Sequence, residues 1–113
     1  MLRTLRELRK VLPRHGIVTV GSGHPQSSTK QDFPIYEPRT HITPGSYSPM
    51  GFALPAAIGA RFACPDDEVW VVAGDGGFQM TACELSTAAQ EGIKVNVAII
   101  NNGYLGMVRQ WQE

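Results

Sequence analysis

The stretch from Val69 to Asn102 limits the possible folds more than any other part of the chain. Val69-Trp70-Val71-Val72-Ala73 is a short apolar run, β-branched at three of five positions, as expected of a strand buried on both faces. Gly74-Asp75-Gly76-Gly77 interrupts it. Phe78 to Glu91 then has helical spacing, with Met80, Cys83 or Glu84, Leu85 and Ala88-Ala89 recurring at three to four residues. Gly92 is placed to close that helix in the left-handed conformation. Val95 to Ile100 predicts a second buried strand, ended by Asn101-Asn102-Gly103. The result is a βαβ unit with polar, Gly-rich residues at the carboxyl ends of both strands, where open α/β sheets hold ligands.

Those two strand ends carry specific chemistry. Asp75 offers a hard carboxylate oxygen and Asn102 an amide oxygen. Two oxygens from successive strand ends suit a small divalent cation, and Mg²⁺ takes few protein ligands, completing its shell from phosphate and water. Gly74, Gly76 and Gly77 have no side chains, so a phosphate can approach the backbone. The helix starting just after them directs free N–H groups and a positive dipole toward the same point. Together these features read as a metal-bridged diphosphate site. The alternative is a tight βα turn with Asp75 as helix N-cap and Asn102-Gly103 as an ordinary turn.

Gly74-Asp75-Gly76, a spacer of residues 77 to 100 and Asn101-Asn102 resemble the signature of thiamine diphosphate-dependent enzymes. Residues 104 to 113, Tyr-Leu-Gly-Met-Val-Arg-Gln-Trp-Gln-Glu, narrow the resemblance. With Met50-Gly51-Phe52 and Leu54-Pro55-Ala56-Ala57-Ile58-Gly59-Ala60, they are similar to the acetolactate synthase catalytic-subunit family.

The resemblance implies an α/β fold: a partial thiamine diphosphate-binding domain over residues 1–113, a parallel sheet flanked by helices. It implies thiamine diphosphate and Mg²⁺ as cofactors, with Asp75, Asn102 and the Tyr104 carbonyl as metal ligands. Met50 would wedge beneath the bent cofactor, where an adaptable thioether suits a flexible two-ring ligand; its alternative is a plain core position. The Ser48 carbonyl would accept from the aminopyrimidine. Gly21, Ser22, Gly74, Gly76, Gly77, Met80, Leu105, Gly106 and Met107 complete the implied cofactor contacts. Met107 and Trp111 would line the entry to the reacting carbon, with Trp111 limiting the acceptor pocket; the alternative for Trp111 is packing beneath a terminal helix.

The implied reaction decarboxylates one 2-keto acid and joins its two-carbon unit to another, as in branched-chain amino acid biosynthesis. Members of this family also carry a pyrimidine-binding domain, whose glutamate drives cofactor activation, and act as dimers or tetramers. Glu84 and Glu91 lie in the middle and at the end of a helix, without the strand-end context that role requires. The chain therefore reads as part of one domain, truncated at its C-terminus, inactive alone and prone to associate. A non-catalytic cofactor-binding or assembly module is the alternative, as is a piece of a related 2-keto acid decarboxylase or oxidase.

Composition narrows the partners. Ten Lys and Arg balance ten Asp and Glu over 113 residues, so no basic excess points to nucleic acid or an anionic membrane. No apolar run approaches a membrane span. Cys64 and Cys83 lack metal-type spacing and read as buried, reduced thiols. A soluble, cytoplasmic protein is the expectation.

Upstream, Leu2, Leu5, Leu8 and Leu12 mark one helical face and Arg3, Arg6, Arg9 and Lys10 another. A surface helix packed on the sheet is expected, rather than an Arg-rich transit peptide, because Glu7 is present, Ser is absent and a strand follows at once. Pro13 ends that helix near Leu12. Ile17 to Val20 is the first strand. Gly21-Ser22-Gly23-His24-Pro25-Gln26 departs from a dinucleotide fingerprint at Gln26, and Pro25 stands where a helix would be running. Its reading is a second phosphate-side loop, with His24 as a loop residue. A short helix is expected over 27–33, a short strand over 40–43 and a small-residue helix over 52–63 packed closely on the sheet. Another helix is expected from Gly106. Phe33 and Tyr36 stay open between packing on the sheet and facing a partner.

Overall fold

The computed structural model describes residues 1–113. Its elements in order are α1 (Leu2–Val11), β1 (Ile17–Val20), α2 (His24–Asp32), β2 (His41–Ile42), α3 (Ala53–Ala63), β3 (Val69–Gly74), α4 (Asp75–Gln79), α5 (Glu84–Gln90), β4 (Asn96–Ile100) and α6 (Gly106–Gln112). The four strands form one sheet in the order β2-β1-β3-β4, and every pairing is parallel. Ile17 pairs with Val69 and Val20 with Val72, so the two most apolar strands occupy the centre.

Alternation along these strands feeds two cores. Val18, Val20 and Val72 point toward α1, where Leu5, Leu8 and Leu12 are buried beside Phe33. Ile17, Val69, Val71 and Ala73 point to the opposite face, against Ala53, Leu54, Ala57 and Ile58 of α3 and Ala88 of α5. Burying Leu54 completely contributes roughly 1.5–3 kcal/mol. The small residues of α3 do allow close approach: the buried Thr19 hydroxyl of β1 donates to the Ala53 carbonyl at 2.8 Å.

Leu5, Leu8 and Leu12 are thus packed on the sheet, as their spacing predicts, while Leu2 at the start of α1 stays exposed. Arg9 braces the chain as it leaves the helix, donating to the carbonyls of the C-cap residue Leu12 and of Pro13 beyond it at 2.7 and 2.6 Å. Its guanidinium also lies over the rings of Phe33 and Tyr36, and that of Arg14 lies over Tyr36. The open question about these aromatics divides: Phe33 enters the core, and Tyr36 stays exposed under arginines.

Four expectations are corrected. The helix over 78–91 is two helices, α4 and α5, separated by a turn at 80–83, and α4 already begins at Asp75. The α2 helix begins at His24, three residues earlier than expected, because Pro25 falls in its first turn, where no N–H is required. The strand β4 is half-buried rather than buried, since it is an edge strand. Cys83 is exposed and Cys64 partly so; both are free thiols. No helix is long and apolar enough to cross a membrane.

Candidate functional site

The strand order creates a crevice. From β1 the chain turns toward β2 through α2, which packs beside α1; from β3 it turns the other way, toward β4, through α4 and α5. Adjacent parallel strands whose connections diverge leave a gap at their carboxyl ends, the usual ligand site of such sheets. A cleft of about 200 Å³ lies there. One wall is Ser22, Gly23, His24 and Pro25 after β1. The floor is residues 74–77 after β3, and the far wall is Asn102 and residues 104–108 after β4. The cleft is smaller than the roughly 300–1,000 Å³ that encloses a drug-sized ligand, so by itself it has room for only part of a ligand of that size.

Glycines set its shape. Side-chain carbons added at Gly74 or Gly77 would meet nothing within 4 Å, so the backbone there faces open space. At Gly76 such a carbon would come within 2.8 Å of Leu105 Cδ2, and Met50 Cε lies 3.8 Å from the same point. At Gly106 it would lie 2.6 Å from His24 Nδ1 and 3.2 Å from Asn102 Nδ2. These close approaches bring the three strand ends and the Met50 loop together. Gly23 has φ +94°, a conformation that favours glycine, and it starts α2 at the cleft wall.

The oxygen donors are few. Asp75 is the first residue of α4; it is not the N-cap, a position taken by Gly74. Asn102 Oδ1 accepts from the Tyr104 N–H at 3.0 Å, and Asn101 Oδ1 from the Gly103 N–H at 3.0 Å, so both asparagines close local turns. An amide oxygen has two lone pairs, which leaves Asn102 one for a ligand. Nowhere do three His, Cys, Asp or Glu side chains converge on a common point. The polar side chains at the cleft are one carboxylate, one amide, the Ser22 and Tyr104 hydroxyls and the His24 imidazole; the carboxylate and amide are hard oxygens of the kind Mg²⁺ takes, and a lone imidazole falls short of a zinc ligand set. Glycine backbone, hard oxygens and an apolar wall of Met50 and Leu105 therefore fit a magnesium-bridged diphosphate bearing an apolar ring.

Of the residues named from sequence, Ser22, Met50, Gly74, Asp75, Gly76, Gly77, Asn102, Tyr104, Leu105, Gly106 and Met107 line the cleft. Met50 is 38% exposed, which removes its core alternative. Four do not line it. Gly21 is buried behind the wall, where it continues the β1–β3 pairing with its N–H on the Val72 carbonyl at 2.8 Å. Ser48 reaches the wall through the Ser22 hydroxyl, 3.0 Å away. Met80 stands exposed in the turn between α4 and α5, and Trp111 is 86% exposed on α6. Gly23, His24 and Pro25 were read as part of a phosphate-side loop but not named as site residues. Proline two residues after a glycine marks a helix start, and that pattern would have placed a helix N-terminus there.

Residues 9–113 match the family model described as "Thiamine pyrophosphate enzyme, C-terminal TPP binding domain". Over 108 residues the chain is 47% identical to an acetolactate synthase of Mycobacterium avium and, again 47%, to an acetolactate synthase large subunit of Corynebacterium glutamicum; each alignment covers 96% of this chain and 17% of the relative. The acetolactate synthase large subunit of Lactococcus lactis is 44% identical over 110 residues, covering 97% of this chain and 19% of its own length. The chain thus spans less than a fifth of these relatives. The glycine-floored crevice falls within the matched residues, and by that match the chain belongs to the thiamine pyrophosphate enzyme family, through its C-terminal TPP binding domain.

Proposed function

We propose that residues 1–113 form the diphosphate- and Mg²⁺-binding part of an acetolactate synthase-like carboligase. The observation that carries this reading is the meeting of Asp75, Asn102 and bare glycine backbone in one crevice between diverging strand ends. Thiamine diphosphate, when bound, supplies a thiazolium carbon that stabilises the carbanion of a decarboxylated 2-keto acid. The protein groups bind and orient. Asp75 and Asn102, with the Tyr104 carbonyl, would hold Mg²⁺ against the diphosphate. The backbone at 74–77 would lie along the phosphate oxygens, and Met50 and Leu105 would support the apolar ring. Met107 borders the cleft, and Trp111 follows it at i+4 on the same helix face, which suits contact with the incoming keto acid.

Asp75 is the carboxylate that lines the cleft; Glu84 and Glu91 do not line it. The proton transfer that activates the cofactor needs a carboxylate of matched pKa within hydrogen-bond reach of the aminopyrimidine. On this reading that group comes from a pyrimidine-binding domain outside these residues, in an oligomer where the two domains face each other. The test is to replace the matching stretch of the Corynebacterium glutamicum protein with these 113 residues. Acetolactate formation from pyruvate is expected from the chimaera and not from the 113-residue chain alone. Turnover by the lone chain, or a folded chimaera that binds cofactor without forming acetolactate, would contradict the reading.

A further inference from the structure

We propose that the buried amide of Gln26 is a positioning residue that clasps the turn at 45–48 and so holds Met50 against the cleft. Gln26 is 8% exposed, in the first turn of α2, and its two ends serve opposite ends of the same turn. Its Oε1 accepts from the Ser48 hydroxyl, and its Nε2 donates to the Gly45 carbonyl at 3.3 Å. Ser22 adds a second hold on Ser48, hydroxyl to hydroxyl at 3.0 Å.

The turn needs holding. Ser48 has φ +45° and Gly45 φ +69°, so a residue with a side chain is kept in the left-handed region, which L residues rarely adopt unaided. Two residues after Ser48, Met50 reaches the cleft beside Gly76. The far end of the loop is fixed independently, where the Thr81 hydroxyl donates to the Gly51 carbonyl at 2.8 Å. Met50 is thereby suspended between a clasp at Ser48 and an anchor at Gly51. The chemistry requires one donor and one acceptor on a single planar group, which an amide supplies. That Met50 meets the cofactor rests on the function proposed above; the clasp itself does not.

The test is amide hydrogen exchange, on the 113-residue chain for the clasp and on the chimaera, with and without thiamine diphosphate plus Mg²⁺, for the cofactor contact. Gln26→Met keeps length and bulk but removes both hydrogen bonds. It is expected to lower protection across residues 45–51 by about tenfold while the strands keep theirs. Ser48→Ala removes the same contact from the half-exposed side and should reproduce the loss even if Gln26→Met fails to fold. Gln26→Glu is a partial rescue: burial favours its protonated carboxyl, which again offers one donor and one acceptor, so protection at 45–51 relative to the strands should be higher towards acid pH than at about pH 8, where the carboxylate keeps only the acceptor side of the clasp. A filler role for Gln26 would give no such profile. Unchanged protection in Gln26→Met and Ser48→Ala overturns the proposal. Cofactor should add protection at 45–51 in the chimaera and not in its Gln26→Met form. A chimaera indifferent to cofactor, with the clasp contrasts intact, counts against the cofactor reading and supports the clasp.

Discussion

At the level of single residues, the sequence singled out most of the positions that share the cleft, but few of their conformations. Asp75, Asn102 and the glycines could be singled out because hard oxygens and missing side chains have a meaning independent of context. Gly23, His24 and Gln26 gained theirs from a helix start that the sequence pattern placed three residues too late. His41 is a case that only burial reveals. Its Nε2 is buried without a hydrogen-bond partner, its ring stacks on Phe33, and burial, then the nearby Lys30 charge, holds its pKa below the ordinary 6.5. The folded state therefore prefers neutral His41, while the unfolded chain begins to take up a proton near 6.5. Stability from this residue is complete above 6.5 and declines as pH falls from there toward the depressed folded value, below which the loss is complete. Thermal melts should show this decline below pH 6.5, and His41→Phe should flatten it. A parallel decline in both proteins would remove His41 as the cause.

At the level of elements, strands and helices were legible where periodicity is strong. The runs at Ile17–Val20 and Val69–Gly74 became the central strands, Leu5, Leu8 and Leu12 packed as their spacing required, and Gly92 adopts φ +64° just after α5. The break between α4 and α5 was not legible, because its cause lies across the fold. In the turn the backbone tightens to i→i+3 hydrogen bonds, Thr81 N–H to the Phe78 carbonyl and Glu84 N–H to the Thr81 carbonyl, while the Thr81 hydroxyl donates to the Gly51 carbonyl, and a Cβ on Gly51 would lie 2.9 Å from Thr81 Cγ2. Gly51 also has φ +83°. A substitution here meets both a strained backbone and a close neighbour, so Gly51→Ala should destabilise the chain by about 1–3 kcal/mol. Urea unfolding would measure it. A change below about 0.5 kcal/mol would show that the loop and the α4–α5 turn move apart freely.

At the level of the whole molecule, the order β2-β1-β3-β4 determines where ligands bind, yet sequence periodicity carries no information about which strands become neighbours. The parallel sheet and its flanking helices were expected; the divergence of chain paths between β1 and β3 came from the structure, and it adds the loop after β1 as a full wall of the cleft. On its outer side the molecule leaves apolar groups in water: Ile99, Val108 and Trp111 are each at least 44% exposed around β4 and α6. Those faces, together with a cleft too small for a whole two-ring cofactor, agree with a site completed by further protein. The most direct test of this account is calorimetric titration of thiamine diphosphate into the chimaeric enzyme, with saturating Mg²⁺ and after chelation, for the parent sequence and for Asp75→Ala. Affinity is expected to fall at least about tenfold both on chelation and in Asp75→Ala, with no further loss when the two are combined. Equal affinity under all of these conditions would contradict a metal-bridged diphosphate at the ends of β3 and β4.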